Sequence, residues 1–162
     1  MKRLFILASL IVMPFFCVLY AQTTIGPNDI LSKDNASISG LKGIFENAFY
    51  EIKESSDTYF SFKDTYTIYL DLDKDNRYIT LSVNWPLVDN ATTQDKFSLL
   101  NRIGKEVLLV TPYYTDAGTS LINKTTIWIE GGMNVKNLIL TEKLFVKALN
   151  LIVDKDDQKI LK

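Results

Sequence analysis

The sequence predicts an α+β domain: a five-stranded antiparallel sheet with helices on one face, in the order α-β-β-β-α-β-β-α. Two patterns carry that prediction. Two neighbouring segments alternate strictly between apolar and polar residues, and three others repeat apolar residues at helical spacing. Composition permits a core, because 47% of the 162 residues are hydrophobic and the formal charge is only −1.

The chain begins MKRLFILASLIVMPFFCVLYA, a basic pair followed by an apolar run and a small residue. This layout predicts a secretory signal peptide over residues 1–21, with Lys2 and Arg3 as its basic start and cleavage after Ala21. The competing reading is an uncleaved anchor. The run from Leu4 to Tyr20 has 17 residues and is interrupted by Pro14, which puts it at the short limit for a bilayer span. Lipid attachment at Cys17 is disfavoured by the bulky Phe16 before it. The expected location is periplasmic or secreted, with no membrane attachment after cleavage.

Removing 21 of 162 residues leaves 141, enough for one domain with a real core. The only cysteine leaves with the signal and the chain contains no histidine. Disulfides, thiol catalysis, thiolate metal sites and the usual general base are thereby excluded. Without Lys2 and Arg3, the remainder carries 16 basic and 19 acidic residues with no basic cluster. That balance argues against a nucleic-acid partner.

The elements follow in order. Residues 22–36 are polar around Gly26-Pro27-Asn28 and predict a flexible lead-in to a domain over 37–156. Leu41, Ile44, Phe45, Ala48 and Phe49 predict a first helix, weakened by Gly40 and Gly43. One strand is expected within Glu51 to Phe62, around Thr58 to Phe62. Tyr66, Ile68, Leu70 and Leu72 then alternate with polar neighbours, as do Ile79, Leu81, Val83 and Trp85. Asp73-Lys74-Asp75-Asn76 between them suits a hairpin turn, and Pro86 ends the second strand.

Thr92-Thr93-Gln94-Asp95 has the form of a capping box opening a helix with Phe97, Leu100, Ile103 and Val107 on one stripe. Val107 to Tyr114 reads as β, and Thr125 to Glu130 as a last strand broken by Gly131-Gly132. A last helix is expected from a Thr141 cap, carrying Leu144, Phe145, Ala148, Leu149 and Ile152 on one face. Residues 157–162 are expected to form a tail.

Few residues carry recognisable chemistry. Asp71 to Asn76 imitates the start of a calcium loop, but the twelfth position is Ser82 rather than Glu, the sixth is Asn76 rather than Gly, and strands flank it. Asp154, Asp156 and Asp157 interleave with lysines and read as a solvated helix end. Gly131-Gly132 lacks the other glycines and the lysine of a phosphate loop. No catalytic residue, metal site or cofactor is expected. The surface that stands out is the outward face of the sheet, where Tyr69, Tyr78, Tyr114 and Trp128 are expected among Thr67, Thr80 and Thr126. Tyr and Trp favour interfaces because they bury large areas while keeping a polar handle. Strand propensity alone also places them there.

The hairpin TIYLDLDKDNRYITLSVNWPL, the segment TQDKFSLLNRIGKEVLLV and the closing WIEGGMNVKNLILTEKLFVKALN together resemble the YbjN-like family of bacterial proteins, over roughly Ile38 to Val153. The resemblance implies the fold of type III secretion chaperones and a role as a sensory-transduction regulator or chaperone-like protein. It brings no active site with it, so no functional residue is carried over. A bacterial source would make the three Asn-X-Ser/Thr sequons at Asn35, Asn90 and Asn123 coincidental. The family's best-known members are cytoplasmic, whereas this chain carries an export signal. The expected function is therefore an exported, non-enzymatic protein-interaction module, chaperone-like or regulatory, with a protein partner or a second copy as its target. The alternative is an envelope sensor binding a small ligand or metal between sheet and helices.

Overall fold

The computed structural model describes residues 25–162, and the signal segment expected over residues 1–21 lies outside them. The two alternating segments pair as expected. β4 (Thr67–Leu72) and β5 (Tyr78–Pro86) form an antiparallel hairpin, with Ile68, Leu70, Ile79, Leu81, Val83 and Trp85 all buried on one side. Asn76 turns the corner in the left-handed region at φ 55°, which Asn tolerates. The Asn76 amide donates to the Asp73 carbonyl at 2.8 Å.

The main sheet has six strands rather than five. The added strand is β2 (Glu51–Ser55), which pairs with β3 (Tyr59–Lys63) at one edge. Its sequence, EIKES, has no apolar alternation, so it is held by the β3 ladder and not by a buried face. A register shift between Ile52 and Glu54 interrupts that ladder, and charged side chains line the strand. Both features protect an exposed edge against pairing with another chain.

On the other side of β5 lies β7 (Ser120–Trp128), joined to it by nine register pairs from Tyr78–Trp128 to Pro86–Ser120. The last strand is thus longer than the Thr125 to Glu130 segment expected from sequence. Beyond it, β6 (Thr111–Tyr114) closes the second edge, and the spatial order is β2-β3-β4-β5-β7-β6.

Three helices cover one face. α1 (Ile38–Asn47) is capped by the Ser37 side chain and packs on β2 and β3. Its Phe45 meets Tyr50, Phe60 and Phe62 with ring centroids 4.5–5.6 Å apart, within the range of favourable aromatic contacts. α2 (Thr93–Glu106) opens on the capping box read from the sequence, with Thr92 and Asp95 bonding each other's backbone amides. Leu99 and Ile103 face the core, whereas Phe97, expected on that stripe, points to solvent.

α3 (Val135–Asp154) begins six residues before Thr141. Asn134 is its cap, accepting from the Lys136 amide at 2.9 Å, and the Thr141 hydroxyl donates to the Asn137 carbonyl within the helix at 2.8 Å. A turn at Gly131-Gly132 leads into the helix. Gly132 has φ +88°, and a Cβ there would lie 2.9 Å from Ile30, so the position requires glycine.

That close approach exists because the two-residue strand β1 (Ile30–Leu31) pairs with β8 (Met133–Asn134). The segment expected as a flexible lead-in is therefore ordered over its described part, and Leu31 is fully buried. The expected tail also packs. The Asp156 carboxylate accepts from the Ile160 and Leu161 amides, Ile160 is buried, and Leu161 bridges to Leu87. Among the described residues no helix is long and apolar enough to cross a membrane.

Candidate functional site

With all three described helices on one face, the opposite face of the sheet is left open by the described residues. Register decides which side chains stand there. Tyr78 pairs with Trp128, Thr80 with Thr126 and with Asp71, and Tyr69 with Ser82 and Ser61. These alternate with the buried residues of each strand and so lie on the outer side. Three of the four expected face residues, Tyr69, Tyr78 and Trp128, are brought together on this surface.

Tyr114 is not among them. It pairs with Leu121, whose side chain is in the core, so Tyr114 points toward the helices. Its hydroxyl donates to the Lys96 carbonyl of α2 at 2.8 Å, and burial pushes it up to about 12. The residue before it, Tyr113, pairs with Ile122 and takes the outward position. The Lys124 ammonium lies 5.3 Å from the centre of its ring, a cation–π distance. Tyr59, paired with Asp71, is a fifth outward aromatic that sequence reasoning missed. Its signal was the alternation Tyr59, Ser61, Lys63 against Phe60 and Phe62.

The rings form two contacts. Tyr78 and Trp128 are 5.2 Å apart between centroids and Tyr59 and Tyr69 are 6.4 Å apart. Trp128 remains 62% exposed. Between the two pairs sits Asp71, whose carboxyl is pushed up from the usual range by burial. Six strands at ~4.8 Å spacing and a nine-residue ladder at ~3.4 Å rise give a face of roughly 650 Å². That is a little under the ~800 Å² each partner contributes to a standard interface.

The other sequence candidates resolve into structure. In the imitation calcium loop, Asp73 accepts from the Arg77 side chain at 3.2 Å, which helps hold its carboxyl below the usual carboxylate range despite an opposing desolvation effect. At the C-terminal cluster Asp157 pairs with Arg102, and Asp156 binds backbone amides. Among the described residues no three His, Cys, Asp or Glu side chains converge as a metal site would require.

One buried polar cluster was not anticipated. Glu142 of α3 is 0% exposed and accepts a hydrogen bond from the Tyr50 hydroxyl, while its second oxygen has no partner. Lys143 lies over the Tyr50 ring at 4.6 Å, 3.8 Å from Glu142, and donates to Asp64 at 2.6 Å. Burial raises the Glu142 carboxyl to about 7, against the lowering influence of Tyr50 and Lys143. Burial also raises the Tyr50 hydroxyl, reinforced by its bond to Glu142. The cluster ties α3 to the corners after α1 and after β3.

A single α+β layer pair with a bare, aromatic sheet face is thus the class of architecture this chain defines. Within that class it has a YbjN-like fold. It superposes on the crystal structure of Escherichia coli YbjN, described as a candidate transcription regulator, with a TM-score of 0.66 at 11% identity, covering 82% of this chain and 98% of that one. It is also similar to an uncharacterised protein from Methanothermobacter thermautotrophicus, with a TM-score of 0.55 at 12% identity over 77% of this chain and 99% of that one. No protein-family profile matches the sequence, and no curated protein does.

Proposed function

We propose that this chain is an exported, non-enzymatic protein-interaction module, regulatory or chaperone-like, that binds its partner through the open sheet face. The observation that supports this most is the set of five outward aromatics, Tyr59, Tyr69, Tyr78, Tyr113 and Trp128, on a surface that none of the described helices covers. Aromatic anchors of this type carry most of the energy in protein interfaces. The likeness to a candidate regulator is compatible with the reading, and the N-terminal sequence supports export.

The test is crosslinking capture from the native envelope, with wild type compared against a Tyr78→Ser, Trp128→Ser double variant. Both positions are on the solvent side of the sheet, so circular dichroism should stay unchanged. The captured partner, or self-association measured by light scattering, should be lost. Retention of the same captured species by the double variant would remove this face from the account. Fractionation of the same cells checks export: recovery with the cytoplasm would overturn that part.

A further inference from the structure

Between the C-terminal end of α1 and the first turns of α3 runs an apolar groove of about 400 Å³. Ile44, Ala48, Val135, Ile139 and Leu140 are among its walls, and Asn47 and Lys136 are its residues with polar side chains. A volume of this size lies within the ~300–1,000 Å³ typical of small-molecule sites, which are likewise mostly apolar with a few placed polar groups.

Three observations narrow the occupant. First, no acidic residue lines the groove, and the Lys136 ammonium has no ion-pair partner among the described residues. Lys136 also sits in the first turn of α3, where the helix dipole favours an anion. Second, an inserted polypeptide would bring backbone N–H and C=O groups into walls with almost nothing to pair them, whereas an alkyl chain brings none. Third, the wall residue Leu140 is half exposed and presents apolar surface at the groove's edge. Phe49, which follows the wall residue Ala48 in the chain but is not itself a wall, projects into solvent at 97% exposure. Phe49 holds the left-handed conformation at φ 67°. That conformation is unfavourable for a bulky residue at a helix end, where glycine is the usual occupant.

We infer that this groove binds a long-chain carboxylate, its alkyl chain along Ile44, Ala48, Ile139 and Leu140 and its carboxylate on Lys136. The volume accommodates roughly a dozen methylene groups if each takes about the ~30 Å³ of a liquid water molecule. This site lies on the helical side of the domain and does not depend on the aromatic face for its argument.

The test titrates the protein as purified from its native cells with the fluorescent long-chain carboxylate cis-parinaric acid. Saturable one-site binding is expected, displaced by hexadecanoate, with affinity falling about two- to fourfold per methylene removed from the competitor. Lys136→Glu should weaken hexadecanoate about tenfold and leave hexadecanol nearly unchanged, as loss of a charge-assisted contact requires. Ala48→Trp should fill the groove and abolish binding. Leu140→Asp does the same from a half-exposed position that the fold tolerates more readily.

Absence of saturable binding by wild type overturns the inference, as does a Lys136→Glu variant that treats acid and alcohol alike. Binding only to phosphatidylglycerol vesicles, without displacement by free hexadecanoate, would assign the groove to a membrane surface instead. Self-association abolished by Leu140→Asp, with no parinarate bound, would assign it to a second copy. The Tyr78→Ser, Trp128→Ser variant should bind parinarate normally, which separates this result from the fate of the sheet-face reading.

Discussion

Replacing Glu142 by Gln should remove a pH dependence of stability that wild type shows between about pH 4.5 and 7. The carboxyl is fully buried and titrates near 7 in the fold, against an ordinary 4.5, chiefly because burial disfavours its charged form. A raised carboxyl favours the folded state while protonated. Its contribution is complete below the unfolded value and is lost as pH rises through the folded one. At ~1.4 kcal/mol per pH unit separating the two values, ionised Glu142 costs the fold on the order of 3 kcal/mol above pH 7. Glutamine keeps an oxygen for the Tyr50 hydroxyl and never ionises. The variant should therefore lose most of the slope across this window, and be about 1–3 kcal/mol more stable than wild type at pH 8. For a domain of this size that corresponds to a melting temperature higher by roughly 3–10 °C.

The neighbouring groups do not blur the measurement. Asp64 is pushed up by its own burial but pulled further down by the Lys143 and Thr65 hydrogen bonds, so it loses protection only as pH falls below the ordinary aspartate range. Tyr50 and Lys143 are both held above their ordinary values, and stay protonated throughout. Urea denaturation at half-unit steps from pH 5 to 8 gives the curve. A glutamine variant that keeps the wild-type slope refutes the assignment of that slope to Glu142.

Two further substitutions test the packing. Asn123 is buried on the inner face of β7 with neither amide atom hydrogen-bonded, and its register neighbours are Val83 and Pro112. Asn123→Val should therefore raise stability by about 1–2 kcal/mol in urea denaturation, and a loss of that size would mean an unrecognised partner for the amide. Phe49→Gly should relieve the left-handed strain and stabilise by about 0.5–1 kcal/mol, because the exposed ring contributes little burial. A destabilised glycine variant would show that the ring packs in solution.

What the sequence disclosed and what it hid follow from where the apolar residues lie. β4 and β5 are legible because one face of each is buried along its whole length, which imposes period-two alternation. β2 was hidden because an edge strand needs no buried face, and its charges serve to keep other strands away. The start of α3 was misplaced by taking Thr141 as its cap, whereas Asn134 caps it. The periodicity of Val135, Leu138, Glu142, Phe145, Leu149 and Ile152 in fact begins earlier, and places a glutamate in an apolar row. That misfit was the readable sign of the buried Glu142 cluster.

The aromatic face shows the limit most clearly. In Tyr113-Tyr114 two identical residues are adjacent in a four-residue strand, and a slip of one position exchanges their faces. No local pattern can choose between them. The choice is made by long-range pairing, Tyr114 against buried Leu121 and Tyr113 against Ile122, together with the bond from the Tyr114 hydroxyl to α2. Tyr78 and Trp128, by contrast, sit in strands long enough for alternation to fix their side. A face assembled from both kinds of position was therefore only partly readable, and its closer ring pair, Tyr78 with Trp128, is the part on which a binding test should first be spent.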